Sequence, residues 1–181
     1  MDLNEIYKVS LKSNPIERKK EFRDCLMNFE KILEDHPDSY GDPSNAGRYE
    51  VANQINTLKH TFCDGTYSRE ITMLAGQLIS SGIHKIKHCY FVLKGDVSVL
   101  TENGVERIRA PYSGVTMPGT KRLLFTHEET VWTTVHATEK QTVDEVLEEV
   151  LAENFNDPDI KAFDIKEQEL FEIENNKKLK L

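Results

Sequence analysis

The sequence predicts a mainly β protein, an antiparallel sandwich or barrel with a helical arm before it and a helix and acidic tail behind it. Three observations carry that reading. From Lys59 to Thr138, short β-prone runs are each cut off by a turn pair: Asp64-Gly65, Ala75-Gly76, Gly95-Asp96, Asn103-Gly104 and Pro118-Gly119. About nine strands at such even spacing, with no helix of crossover length among them, exclude a parallel sheet. Before them, residues 13–36 repeat apolar side chains at helical spacing. After them, residues 139–181 hold thirteen acidic and six basic residues, a net of −7 out of −8 for the chain. The expected units are therefore a helical arm and linker (1–58), a β-barrel (59–138), and a C-terminal helix with an acidic tail (139–181).

Size and composition bound what those units can be. A chain of 181 residues and 20.8 kDa can bury one real core but not two large ones. Hydrophobic residues at 38% and charged residues at 30% fit a soluble protein and not a disordered one. No apolar run is long enough to span a bilayer, and the first residues carry no apolar signal core, so no membrane association and a cytoplasmic location are expected. Cys25, Cys63 and Cys89 are odd in number and lack CxxC spacing, which argues for reduced thiols. A near-neutral body and an acidic tail lack the clustered Lys and Arg that a phosphate backbone demands, so nucleic acid is not an expected partner.

Taken in order, the elements justify themselves locally. A short helix is expected near Leu3–Leu11. The long arm helix has Ser13 or Asn14 as N-cap, Pro15 in the first turn and His36-Pro37 as its stop. Its stripe of Ile16, Phe22, Cys25, Leu26, Phe29, Ile32 and Leu33 faces a polar side of mixed sign, which favours packing on the protein's own core or a second copy over a membrane surface. Residues 37–47 are rich in Pro, Gly, Asp, Asn and Ser and read as a loop. Residues 49–55 suit a short helical piece. Strands are expected over 60–62, 67–73, 78–84, 89–93, 97–101, 105–110, 115–117, 123–126 and 131–135. Thr142 and Glu145 form a capping box that opens a helix of about three turns. The residues beyond Asn154 bury little by themselves, and a mobile or partner-dependent tail is expected.

The stretch Ile83–Gly95, IHKIKHCYFVLKG, places two histidines, His84 and His88, at the head of an apolar strand. The region from about Phe62 to Thr138 resembles the cupins, and TYSREITMLAGQLISSGIHKIKH, GVERIRAPYSGVTMPGTKR and TVWTTVHATE resemble small uncharacterised cupin-like proteins of tailed bacteriophages. The resemblance covers somewhat under half of the chain. It implies a double-stranded β-helix, or jelly roll, with metal ligands in two motifs. In the first motif His84 takes the second histidine position, Gly82 the first, and His88 the glutamate position seven residues before the turn Gly95. In the second, Pro118-Gly119 fits, but Arg122 stands where a histidine belongs.

A substitute site is the consequence. By strand alternation His136 shares a face with Thr134 and Trp132, and barrel closure can bring it to His84 and His88. Three neutral imidazoles would suit zinc or another late first-row divalent ion; half-buried histidines bonded to carbonyls are the structural alternative. Arg122 can hold a carboxylate or phosphate with its planar fork, or else pair with Glu70. Arg69 and Glu70 point to opposite faces, so one of them meets the interior or a subunit contact. Tyr90 and Trp132 can line a pocket or serve as core. The candidate ligand-binding set is thus Arg122, Trp132, Tyr90 and Glu70, and the candidate metal set His84, His88 and His136.

The favoured function is a phage-type binding protein that holds a small anionic or metal-associated ligand at the barrel mouth without turning it over. The alternatives are a metal-dependent enzyme with a degenerate ligand set and a structural or virion oligomer. The sequence shows no complete ligand set with a general base. A homodimer or larger homo-oligomer is expected, through sheet edges and the stripe from Phe22 to Leu33, in the cytoplasm of an infected bacterium if the chain is phage-encoded.

Overall fold

The computed structural model describes residues 2–9, 14–34 and 55–178. The expected loop over 37–47, and all but Ile55 of the expected helical piece over 49–55, lie outside the described residues. Eleven strands are formed among those described: β1 (Thr57–Cys63), β2 (Thr66–Met73), β3 (Leu78–Ser80), β4 (Ile83–His84), β5 (His88–Lys94), β6 (Asp96–Thr101), β7 (Gly104–Arg109), β8 (Tyr112–Thr116), β9 (Leu123–Thr126), β10 (Thr130–Ala137) and β11 (Leu151–Ala152). The helices are a 3-10 turn at Leu3–Glu5, α1 (Pro15–Glu34), α2 (Val143–Val150) and α3 (Pro158–Lys178).

The strands form a five-stranded sheet in the order β1-β2-β10-β5-β8 and a four-stranded sheet in the order β3-β9-β6-β7. Without the added edge strand β1 and the small β4–β11 pair, the remaining eight strands are divided between the two sheets in a double Greek-key order. The fold is therefore a jelly roll. The expected single strand over 78–84 is in fact two. β3 pairs with β9 and β4 with β11, and Ser81-Gly82 makes the crossing, held by a Ser81 N–H bond to the Arg122 carbonyl at 2.9 Å.

Alternation decides which side chains meet inside. Met73, Tyr90, Val92, Val97, Val99, Ile108, Leu124 and Trp132 form the core between the sheets. On β6 the outward Leu100 is buried as well, because α1 and the N-terminal turn lie over the four-stranded sheet and bring Leu3, Tyr7, Phe22 and Leu26 onto Leu100 and Leu123. Phe22 and Leu26 are 2% and 0% exposed, each worth about 1.5–3 kcal/mol of burial. Phe22 and Leu26 of the arm stripe are thus spent on the chain's own barrel, while Ile32 stays 66% exposed. Asn14 caps α1: its side chain accepts the Glu17 N–H at 2.8 Å and its own N–H reaches the Glu17 carboxylate at 3.3 Å.

Behind the barrel, Thr142 and Glu145 form the expected capping box. The helix they open stops after eight residues, because Leu151 and Ala152 turn extended to pair with His84 and Ile83. Where a mobile or partner-dependent tail is expected, the chain is helical over Pro158–Lys178 and held to the body through its first turns. Ile160 on α3 is fully buried, and Asp164 receives Arg23 at 2.5 Å and Lys19 at 2.9 Å from α1. Arg23 also lies over the Phe155 ring at 4.5 Å and donates to the Gly119 carbonyl at 3.2 Å. No helix among the described residues is long and apolar enough to cross a membrane.

Candidate functional site

The inner face of the five-stranded sheet carries every second residue of each strand. On β5 these are His88, Tyr90 and Val92, all buried, while Cys89, Phe91 and Leu93 face out. On β10, Trp132 lies opposite Ile71, Thr134 opposite Arg69 and His136 opposite Tyr67. β2 is anchored by buried Tyr67 and Met73, so Arg69 shares their inward face and Glu70 does not. Glu70 instead accepts the Thr133 hydroxyl on the outer face at 3.4 Å. Of the adjacent pair, the inward residue is therefore Arg69, and the assignment of Glu70 to the site is corrected.

His84 on β4, His88 at the start of β5 and His136 near the end of β10 come together at one end of the barrel. Their ring centroids are 4.6 Å apart for His84 and His88, 4.1 Å for His88 and His136, and 6.4 Å for His84 and His136. His88 places Nδ1 at 3.0 Å from the Ile86 carbonyl. Nδ1 of His84, Nε2 of His88 and Nδ1 of His136 are buried without a hydrogen-bond partner. Burial holds all three imidazoles below their ordinary pKa. For His84 the charges of His88, Arg122, His136 and Arg69 add to it, for His88 that of Arg122, and His136, pressed further by His88 and Arg69, falls to about 3. Each imidazole of the cluster is thus biased toward its neutral form.

Its positive charge comes from arginine. Arg122 is 8% exposed, donates from one terminal nitrogen to the Thr116 hydroxyl at 3.0 Å, and lies over the Tyr90 ring at 5.0 Å. Tyr90 in turn stacks on Trp132 with centroids 4.6 Å apart and planes 8° from parallel. Tyr90 and Trp132 belong to the core between the sheets, so their part is to fix the guanidinium from beneath rather than to wall an open pocket. Burial pushes the Tyr90 phenol up to about 12, so it offers Arg122 a π-face but no negative charge. Among the described residues Arg122 makes no ion pair with Asp or Glu. Its burial lowers its own pKa, as expected of a cation taken out of water.

Two features had no separate signal in the sequence. Gly114 lies opposite Tyr90 in the β5–β8 pair, and a Cβ there would stand 2.6 Å from the Tyr90 ring, so the glycine is what lets that ring lie flat. The mouth is also covered. Val146 and Val150 of α2 pack with Tyr67, Ile86 and Leu151, Lys85 N–H bonds the Val150 carbonyl at 2.8 Å, and β11 lies along β4. At Gly82, a Cβ would meet Leu151 Cδ2 at 3.0 Å, so the C-terminal strand occupies the ground beside His84.

The donor chemistry of three neutral imidazoles suits a divalent metal, but their disposition does not. Among the described residues no group of three His, Cys, Asp or Glu side chains is arranged to hold a metal ion. The three rings lie against each other as a packed cluster.

No protein-family model and no curated protein matches this sequence. Among solved structures, an acetylacetone dioxygenase from Acinetobacter johnsonii is similar at 21% identity and a TM-score of 0.40, over 45% of this chain and 59% of that one. The matched part is thus less than two thirds of the dioxygenase. A Cupin_2 domain of an XRE-family transcriptional regulator from Enterobacter cloacae is similar at 12% identity and 0.40, over 48% of this chain and 100% of that one. The Schizosaccharomyces pombe Cnp3 cupin domain is similar at 13% and 0.41, over 58% and 72%. The jelly-roll assignment stands on the strand order itself.

Proposed function

We propose that the barrel is a binding module for a small anion, a carboxylate or phosphate, held by Arg122 with the neutral imidazoles of His84, His88 and His136 as further hydrogen-bonding groups. The observation that supports it is a buried guanidinium with no carboxylate partner among the described residues. Such a charge is costly unless something neutralises it, and Arg presents a flat fork matched to two oxygens. Tyr90 holds the plane of that fork, Thr116 takes one of its donors, and a neutral imidazole can give an N–H to an anion without needing a proton from solvent. The sequence resemblance would place this binding in the cytoplasm of an infected bacterium.

The thermal transition of the full chain, measured with inorganic phosphate, acetate and citrate in turn, tests the reading. At least one anion is expected to stabilise the protein, by about 1.4 kcal/mol at tenfold over its dissociation constant. Arg122→Gln is expected to abolish that response while folding at least as stably, because it removes an unpaired buried charge. An equal response in Arg122→Gln, or none to any anion in the parent chain, would overturn it.

A second reading is favoured by the three unpartnered ring nitrogens: a divalent metal that draws the imidazoles into a common geometry on binding. Elemental analysis of the purified protein separates the two. A stoichiometric transition metal that disappears in His84→Ala supports the metal, and its absence leaves the anion.

A further inference from the structure

By alternation, the inward positions of β2, β10, β5 and β8 hold a single charged residue, Arg69, and no Asp or Glu. Across the sheet Arg69 lies opposite Thr134, Thr134 opposite Tyr90, and Tyr90 opposite Gly114. Arg122, from the loop that enters β9 in the other sheet, lies over that same Tyr90 ring at 5.0 Å. Next to this row, toward the mouth, stand His136 and His88, with ring centroids 4.1 Å apart. Both cations act on the one cluster: the charge of Arg69 is felt by His84 and His136, that of Arg122 by His84 and His88. We propose, on the anion reading of Arg122, that the ligand is a small dicarboxylate whose second carboxylate is received by Arg69.

Charge and spacing select that class. Two like charges acting on one group of side chains favour a ligand with two negative charges over a ligand with one. The strands that carry Arg69 and Tyr90 are two strand spacings apart, about 10 Å. Two carboxylates on a short carbon chain therefore match the pair better than a phosphate, whose charges share one group. Each guanidinium fork can take both oxygens of one carboxylate. The buried ring nitrogens without partners, Nδ1 of His84, Nε2 of His88 and Nδ1 of His136, offer polar positions to the ligand between its ends. Those ends differ in access. Arg122 is 8% exposed, whereas Arg69 is half-buried and His60, opposite it on the added strand β1, is exposed. Arg122 is thus the inner anchor, and Arg69 receives the carboxylate nearer water.

Calorimetric titration of the full chain with succinate and with succinamate, which has the same length but one charge, tests the assignment at constant ionic strength. Succinate is expected to bind at least about tenfold more tightly, the worth of one charge-assisted hydrogen bond. Arg122→Gln is expected to abolish binding of both. Arg69→Gln should bring the two affinities to within about twofold of each other, and Arg69→Lys, which keeps the charge without the fork, should retain part of the difference. Glu70→Gln, next in sequence but on the outer face, should leave the ratio of the parent chain. Equal binding of succinate and succinamate, both lost in Arg122→Gln, would overturn the dicarboxylate and leave the anion site standing. Inorganic phosphate binding more tightly than succinate would do the same. A ratio unchanged in both Arg69 variants would also overturn it, and binding of no anion at all would remove the reading of Arg122 along with it.

Discussion

Arg122 and the imidazoles around it show how one buried neighbourhood can set opposite demands on two kinds of base. Arg122 remains charged because guanidinium cannot lose its proton within reach of protein conditions, whereas each imidazole escapes the cost of burial by staying neutral. The consequence is a stability that depends on pH in a definite direction. An imidazole whose folded pKa lies below its unfolded value binds its proton in the unfolded chain first, so stability is fully present above pH 7 and is lost as the pH falls through 6.5. For His136, with a folded value of about 3, the loss between pH 7 and pH 5 is about 2 kcal/mol. His136→Gln should flatten the pH dependence of the urea midpoint over that interval; an unchanged slope would show that His136 is not a buried neutral base. Gly114 supports the same neighbourhood sterically. Gly114→Ala should displace the Tyr90 ring from Trp132 and cost about 1–3 kcal/mol. The emission of the single tryptophan should shift with it, and a variant that keeps both stability and emission would refute the packing role.

At the scale of elements, the two helices outside the barrel depend on each other. Lys19 and Arg23 are 15% and 13% exposed at the side chain, against 30% for Asp164, and Asp164 is held below the usual carboxylate range by its bonds from Arg23 and Lys19 in spite of its burial. Asp164→Ala leaves the largely buried Arg23 without an ion-pair partner among the described residues, while Lys19 keeps Glu167 at 2.6 Å, so a loss of about 1–3 kcal/mol is expected. Hydrogen exchange should locate it: amides of α3 are expected to lose protection first, with those of β5 and β10 unchanged. Protection lost equally everywhere would mean that α3 does not open separately from the barrel. Ile160 and the Phe155–Arg23 contact keep the first turns of α3 attached, so proteolysis should begin beyond them.

For the molecule as a whole, the sequence was legible wherever turn chemistry or alternation anchored it. Turn pairs such as Asn103-Gly104 delimited the strands, and alternation was enough to set His136 and Trp132 on one face of β10. Parity is equally available on β2, where Tyr67, Ile71 and Met73 mark the inward set and so select Arg69 over Glu70. The division of 78–84 was not legible, because Ser81 and Gly82 do not break an apolar run strongly, and the two halves are assigned to separate sheets only by partners more than forty residues away. The docking of α3 was hidden for a related reason: its apolar residues are spread around the helix, and its attachment rests on ion pairs with α1. Arg23 and Asp164 are 141 residues apart in the chain, which sets an order on folding. Closing a loop of that length costs about 2 kcal/mol more than closing one of ten residues, and nothing offsets the cost until the jelly roll between them has drawn the ends together. The clasp of α1 with α3 is therefore a late event in folding, and a chain halted before Asp164 would present Lys19 and Arg23 to water on an otherwise assembled barrel.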